Sequence, residues 1–111
     1  MNAGDVVLVP IPQSDGQVKN RPVVLLKAFP PYGDFLACGI SSQLRQHVAG
    51  FDDLVSPGDE DFSSSGLTRE SAIRLGFLSL VPTPLPLGAI GSISAERLRR
   101  LLGRLSDYLR P

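Results

Sequence analysis

The chain changes its hydrophobic period once. Leu98, Leu101, Leu102, Leu105 and Leu109 recur at helical spacing, as one stripe. Arg97, Arg100 and Arg104 fall on another face of the same helix. Ser94 stands where an N-cap is needed, Glu96 sits in the first turn where the helix dipole favours an acid, and Pro111 cannot extend the helix. Nothing upstream has this period. Short apolar runs alternate there with turn residues instead. Val6-Val7-Leu8-Val9, ended by Pro10-Ile11-Pro12, reads as a first strand and Val23 to Leu26 as a second. Gln13 to Asn20 reads as an exposed loop between them, and Arg21 is pushed into extended geometry by Pro22. Pro30-Pro31-Tyr32-Gly33-Asp34 is a turn, followed by a third strand over Phe35 to Ile40. Leu44 to Gly50 is ambiguous and Phe51 to Val55 is a candidate fourth strand. Ser56 to Gly66 is an acidic, serine-rich loop, and Ser71 to Leu75 and Phe77 to Val81 read as further strands. Many short strands and one late helix predict a mainly β (α+β) fold: a small antiparallel barrel with an amphipathic C-terminal helix across it.

The 111 residues fit a single domain, 1–111, with enough apolar sequence for a core. The one cysteine, Cys38, cannot form an intrachain disulfide and lies in an apolar run. With Asp5 near the N-terminus there is no signal-peptide pattern, and a cytoplasmic protein is expected. From Leu75 to Ala95 no residue is charged, about the length of a membrane span. Pro82, Pro84 and Pro86 alternate through its middle and would break such a helix. Two buried strands joined by a proline-rich turn is the expected reading.

Net charge is zero, but it is unevenly spread. Asp52, Asp53, Asp59, Glu60 and Asp61 lie in one short stretch, and the rest of the chain has 11 basic against 6 acidic residues. Arginine dominates the basic set, and arginine grips phosphate bidentately. Such a body is compatible with a nucleic acid, though surface arginines are also ordinary solvating groups. One His and one Cys give no zinc spacing. Asp59, Glu60 and Asp61 are adjacent rather than alternating, which suits a solvated loop better than a calcium loop. No phosphate-cradling loop and no nucleophile elbow is present. No metal and no cofactor is expected.

Five motifs come in order. Gly4-Asp5-Val6-Val7-Leu8-Val9 is followed by Lys19-Asn20-Arg21-Pro22 with its apolar run. Next come Gly39-Ile40-Ser41-Ser42-Gln43, then Gly66-Leu67-Thr68-Arg69-Glu70-Ser71-Ala72-Ile73-Arg74, then Gly91-Ser92-Ile93-Ser94. In this order the chain resembles the PemK/MazF-type toxins of bacterial toxin–antitoxin systems over nearly its whole length. The resemblance implies an SH3-like barrel, a homodimer, an antitoxin partner, and a metal-independent, sequence-selective endoribonuclease acting on single-stranded RNA. It makes Arg21 and Ser41 the catalytic residues. Asp15, Lys19, Ser42, Gln43 and Arg74 would bind RNA. Some members have an Arg-x-Asp pair; Arg74 matches its arginine, but Gly76 stands at the acid position. Others use a His in the first loop, where this chain places Asp15.

The chemistry suits the residues. RNA carries its own nucleophile, the 2′-hydroxyl, so the site needs charge stabilisation and a proton for the leaving oxygen. Arg21 can supply charge and paired donors; Ser41 can hold a phosphate oxygen or orient the 2′-hydroxyl. Each residue also has a plain reading. Arg21 would be a solvated residue at a strand start, Ser41 to Gln43 a hydrogen-bonded turn, and Arg74 an outward charge. Two other functions compete. A CcdB-type gyrase-binding toxin relies on an aromatic C-terminal end, whereas this chain has no Trp and closes on Tyr108-Leu109-Arg110-Pro111. A catalytically inactive barrel would only bind a partner protein.

Overall fold

The computed structural model of the chain describes residues 1–83 and 88–111. Six strands, β1 (Asp5–Pro12), β2 (Val18–Phe29), β3 (Asp34–Ser41), β4 (Asp53–Val55), β5 (Ser71–Val81) and β6 (Ala89–Ser92), precede one helix, α1 (Ala95–Leu109). The strands form one antiparallel sheet in the order β4-β5-β3-β2-β1-β6. A short 3-10 turn, Leu44–Gln46, occupies part of the segment that the sequence left ambiguous.

The apolar runs of β1, β2 and β3 are continuous rather than alternating because both faces of the sheet are covered. Val6, Val24, Leu26, Cys38, Ile40, Ile73 and Leu75 form a core with Leu101 and Leu105 of α1. Their neighbours Val7, Val23, Leu25, Ala37 and Phe35 form a second cluster. Burial pushes the Cys38 thiol up to about 12, with the Asp52 carboxylate adding to it, so this cysteine is an inert core residue. The sheet curls because its ladders slip at bulges. The largest slip lies between Arg74, opposite Gly39, and Leu78, opposite Cys38. The barrel and helix anticipated from the sequence are what the chain forms.

Several boundaries differ from the expectation. β1 does not end at Val9: it runs through Pro10 and Pro12, which pair with Asn20 and Val18 of β2. Among the described residues β6 covers only Asp5 to Val7 on the other side of β1, so the prolines lie where the strand has a free edge. The loop expected over Gln13 to Asn20 is therefore shorter. It is a hairpin connection closed by Gln13 N–H to Gln17 O at 2.7 Å, with Gly16 at φ +84°. The two strands expected on either side of Gly76 are one strand, β5, bent through its bulge. The fourth strand is only Asp53–Val55. β6 is a half-exposed edge rather than a buried strand, and Pro84 and Pro86 of the expected turn lie outside the described residues. Leu109 leaves the stripe and is 65% exposed. No described helix is long and apolar enough to cross a membrane.

The acidic stretch is the largest correction. Asp52, Asp53 and Asp61 are buried, not solvated. The Arg97 guanidinium, 6% exposed on α1, donates to Asp61 at 2.8 Å, Asp53 at 2.8 Å, Asp59 at 2.9 Å and the Leu54 carbonyl at 2.8 Å. Arg100 and Arg104 complete the ring around Asp53. Asp52 instead clasps backbone, accepting from Leu75 N–H at 3.0 Å and Val48 N–H at 2.9 Å. Three arginines are thus committed to the acids. Setting both groups aside leaves eight basic against six acidic residues, a smaller excess than the sequence alone suggested.

This ion cluster ties α1 to the β4 edge, while the loop before β5 ties down the β6 edge. Ser92 N–H donates to Ser64 O at 2.8 Å. The approach is possible because Gly91 has no side chain: a Cβ there would stand 2.3 Å from Ser64 O and 2.4 Å from Ser65 C. Both neighbours are backbone and cannot rotate away. Gly91→Ala should destabilise the fold by about 3 kcal/mol, the upper part of the overpacking range, visible as a lower urea midpoint.

Candidate functional site

A groove of about 470 Å³ opens where β2, β3 and β5 meet. Its centre follows from register. Val23 pairs with Gly39, so two residues further along, Arg21 of β2 and Ser41 of β3 fall opposite each other as the ladder ends. On the far side of β3, Gly39 pairs with Arg74 of β5 and Ser41 with Ala72. Cross-strand partners share a face, which brings Arg21, Ser41 and Arg74 to one concave surface. Ser42 and Gln43 follow directly and line it as well.

Two local devices shape the polar groups. The Ser41 hydroxyl accepts the Gln43 N–H at 3.1 Å, which fixes the turn after β3. Accepting leaves its own proton free to donate into the groove. The plain turn role and a site role are therefore compatible. Arg21 Nη2 donates to Gln13 Oε1 at 3.3 Å, while Gln13 Nε2 donates to the Ile11 carbonyl at 2.9 Å. The carbonyl turns the amide so that its oxygen faces the guanidinium.

Of the seven site residues anticipated from the sequence, Arg21, Ser41, Ser42, Gln43 and Arg74 come together in the groove. Asp15 and Lys19 stand on the adjoining hairpin, outside the lining. Asp15 is engaged in closing the turn, accepting Gln17 N–H at 2.9 Å, and Lys19 is exposed opposite Ile11. Gln13, Gln46, Arg69 and Phe77 also line the groove and were not anticipated. Arg69 sits inside the Gly66 to Arg74 motif, so the sequence carried a signal for it. Phe77 enters only through the bulge in β5, which the sequence does not announce.

The charge pattern of the lining is one-sided. Arg21, Arg69 and Arg74 contribute three guanidiniums, and among the described residues no Asp, Glu or His lines the groove. None of the three arginines forms an ion pair among the described residues. Gly76, at the position of the missing acid, faces open space. Among the described residues no three His, Cys, Asp or Glu converge as metal ligands.

A model of the family described as PemK-like, MazF-like toxin of type II toxin-antitoxin system matches residues 2–109. The chain belongs to this family. The match covers all six strands and the whole of α1, so a toxin role in a type II toxin–antitoxin system is assigned to the chain as a whole. A search of curated proteins finds no match. In this PemK/MazF-like toxin the arginine groove gathers five of the seven residues singled out from the sequence.

Proposed function

We propose that this PemK/MazF-like toxin is an endoribonuclease that cleaves single-stranded RNA by internal attack of the 2′-hydroxyl, without a metal or cofactor, as one domain over 1–111. The observation that carries the reading is the groove lining: three guanidiniums beside the Ser41 hydroxyl, with no ion pair to them and no carboxylate in the lining among the described residues. The 2′-hydroxyl gives up its proton to solvent water as its oxygen forms a bond to phosphorus, the bond to the 5′-oxygen breaks, and the leaving oxygen takes a proton from water, so no net proton is consumed. Arg21 stabilises the dianionic phosphorane with two donors, and Ser41 donates to a non-bridging oxygen or orients the nucleophile. Arg74 and Arg69 hold flanking phosphates. Ser42 and Gln43 present polar atoms to base edges. Asp15 and Lys19 flank the groove mouth, where longer RNA passes.

Products should carry 2′,3′-cyclic phosphate and 5′-hydroxyl ends, and EDTA should not stop the reaction. Mass analysis of the RNA ends tests this. Cleavage that needed Mg²⁺ and left 5′-phosphates would overturn it. The gyrase-binding alternative draws less support, because it relies on an aromatic C-terminal end and from Ala95 onward the sequence offers only Tyr108, with no Trp.

The reading includes a cytoplasmic setting, a cognate antitoxin and a homodimer. An apolar strip formed by Pro10, Pro12, Leu78, Leu80 and Pro82 adjoins the groove, with Leu80 61% exposed, and is a surface that pairing would cover. Light scattering at micromolar concentration should return about twice the 11.9 kDa chain mass.

A further inference from the structure

Phe77 has no role in the reading above, yet the fold makes special provision for it. The ladder between β3 and β5 slips from Gly39–Arg74 to Cys38–Leu78, so Leu75, Gly76 and Phe77 have no partners on β3. A bulge re-aims side chains at the cost of ladder bonds. Here it aims Phe77 into the arginine groove, where its side chain is 40% exposed. The ring then rests where a side chain at position 39 would stand. A Cβ on Gly39 would lie 2.9 Å from Phe77 Cδ1 and 3.2 Å from Cγ. A glycine in mid-strand weakens the sheet, and an exposed aromatic beside three guanidiniums gains little from water. Bulge, glycine and aromatic together build a flat apolar seat in a cationic groove.

We infer that Phe77 is a stacking platform for a base next to the scissile phosphate. This rests on the endoribonuclease reading and adds the subsite that selects unpaired RNA. The phosphate lies between Arg21 and Ser41. Gly39 is two residues back along β3, about 6.8 Å, which is the reach from a phosphate across its sugar to a base. A base held in a duplex cannot turn out to meet the ring, whereas an unpaired base can. Stacking is tolerant of base identity, so Phe77 sets strandedness and grip while Gln43 and Gln46 face the base edges.

The test uses a single-stranded RNA spanning a mapped cleavage site, blocked by 2′-O-methylation at the scissile nucleotide, with 2-aminopurine on either flank. The wild-type protein should quench one of the two probes. Phe77→Leu should abolish that quenching and weaken binding about ten- to a hundredfold, with the melting temperature little changed. Phe77→Tyr should retain both. Gly39→Ala, which displaces the ring without touching a polar group, should behave like Phe77→Leu. Undiminished quenching and affinity in Phe77→Leu would overturn the inference and leave the endoribonuclease reading standing. So would a loss confined to subunit association, with affinity for RNA retained, which would assign Phe77 to the apolar strip beside it. A wild-type protein that neither cut nor bound RNA would remove both readings.

Discussion

Exchanging Arg21 for lysine should slow RNA cleavage about a hundred- to a thousandfold, even though the positive charge is kept. Removing a preorganised transition-state donor costs roughly 3–4 kcal/mol. An ammonium is a point charge and cannot hold two phosphate oxygens in one plane. It also could not reproduce the geometry set by Gln13, whose amide oxygen receives Arg21 Nη2 at 3.3 Å. Ser41→Thr should be tolerated because the hydroxyl remains at the end of β3, while Ser41→Ala should lose most activity. That alanine variant also loses the acceptor for Gln43 N–H, so its turn should loosen slightly. Both side chains stand at the groove and not in the core, so all three variants should melt close to the wild type. Single-turnover kinetics at saturating RNA separates the effects. Cleavage by Arg21→Lys at the wild-type rate would remove Arg21 from the chemistry.

The site was legible where its residues belong to local patterns. Arg21 announces itself as a residue before proline at the head of an apolar run, and Ser41 as the end of another. Their juxtaposition needs only the register of one hairpin. The same locality made the helix readable, since a 3.6-residue period and an N-cap lie within a few turns of each other. Ser94 does cap α1, accepting Arg97 N–H at 3.1 Å. Long-range pairing was not legible. Arg97 and its acids are separated by the whole of β5, so a stretch rich in Asp and Ser looked like an ordinary solvated loop. Pro10 and Pro12 read as strand breakers because a sequence does not say which strand edge is left uncovered. Phe77 was one apolar residue in an apolar run until a bulge turned it into the groove.

The buried ion cluster carries the largest expected effect on stability. Arg97→Met should cost about 3–5 kcal/mol at neutral pH, because it leaves a buried carboxylate without its counter-charge. Asp53 would keep Arg100 and Arg104, so the loss falls chiefly on Asp61, which would retain only the Ser94 N–H at 2.9 Å. Arg97→Lys should recover a small part, since one ammonium cannot reach Asp53, Asp59, Asp61 and the Leu54 carbonyl together. The sign with pH follows from the carboxylates. The Arg97 hydrogen bond, outweighing burial, holds Asp61 down at about 2. Burial acts to raise Asp53, but the hydrogen bond from Arg100 and the nearby guanidiniums outweigh it and hold its carboxyl low. Groups depressed in the folded state stabilise it above their unfolded pKa, near 3.9. That stabilisation, about 2 kcal/mol for Asp61, fades as pH falls from about 5 and is gone below about 2. The wild type should therefore lose stability over this window. In Arg97→Met the orphaned Asp61 is neutralised by the same protons, so the gap between variant and wild type should narrow as the solution is acidified. Urea midpoints across the window decide the matter: parallel curves would mean that Asp61 does not depend on Arg97. The consequence reaches the groove, because Asp61 anchors the loop that delivers Gly66, Arg69 and β5 with Arg74. An Arg97 variant that still folds should grip RNA less firmly although the substituted residue lies outside the groove.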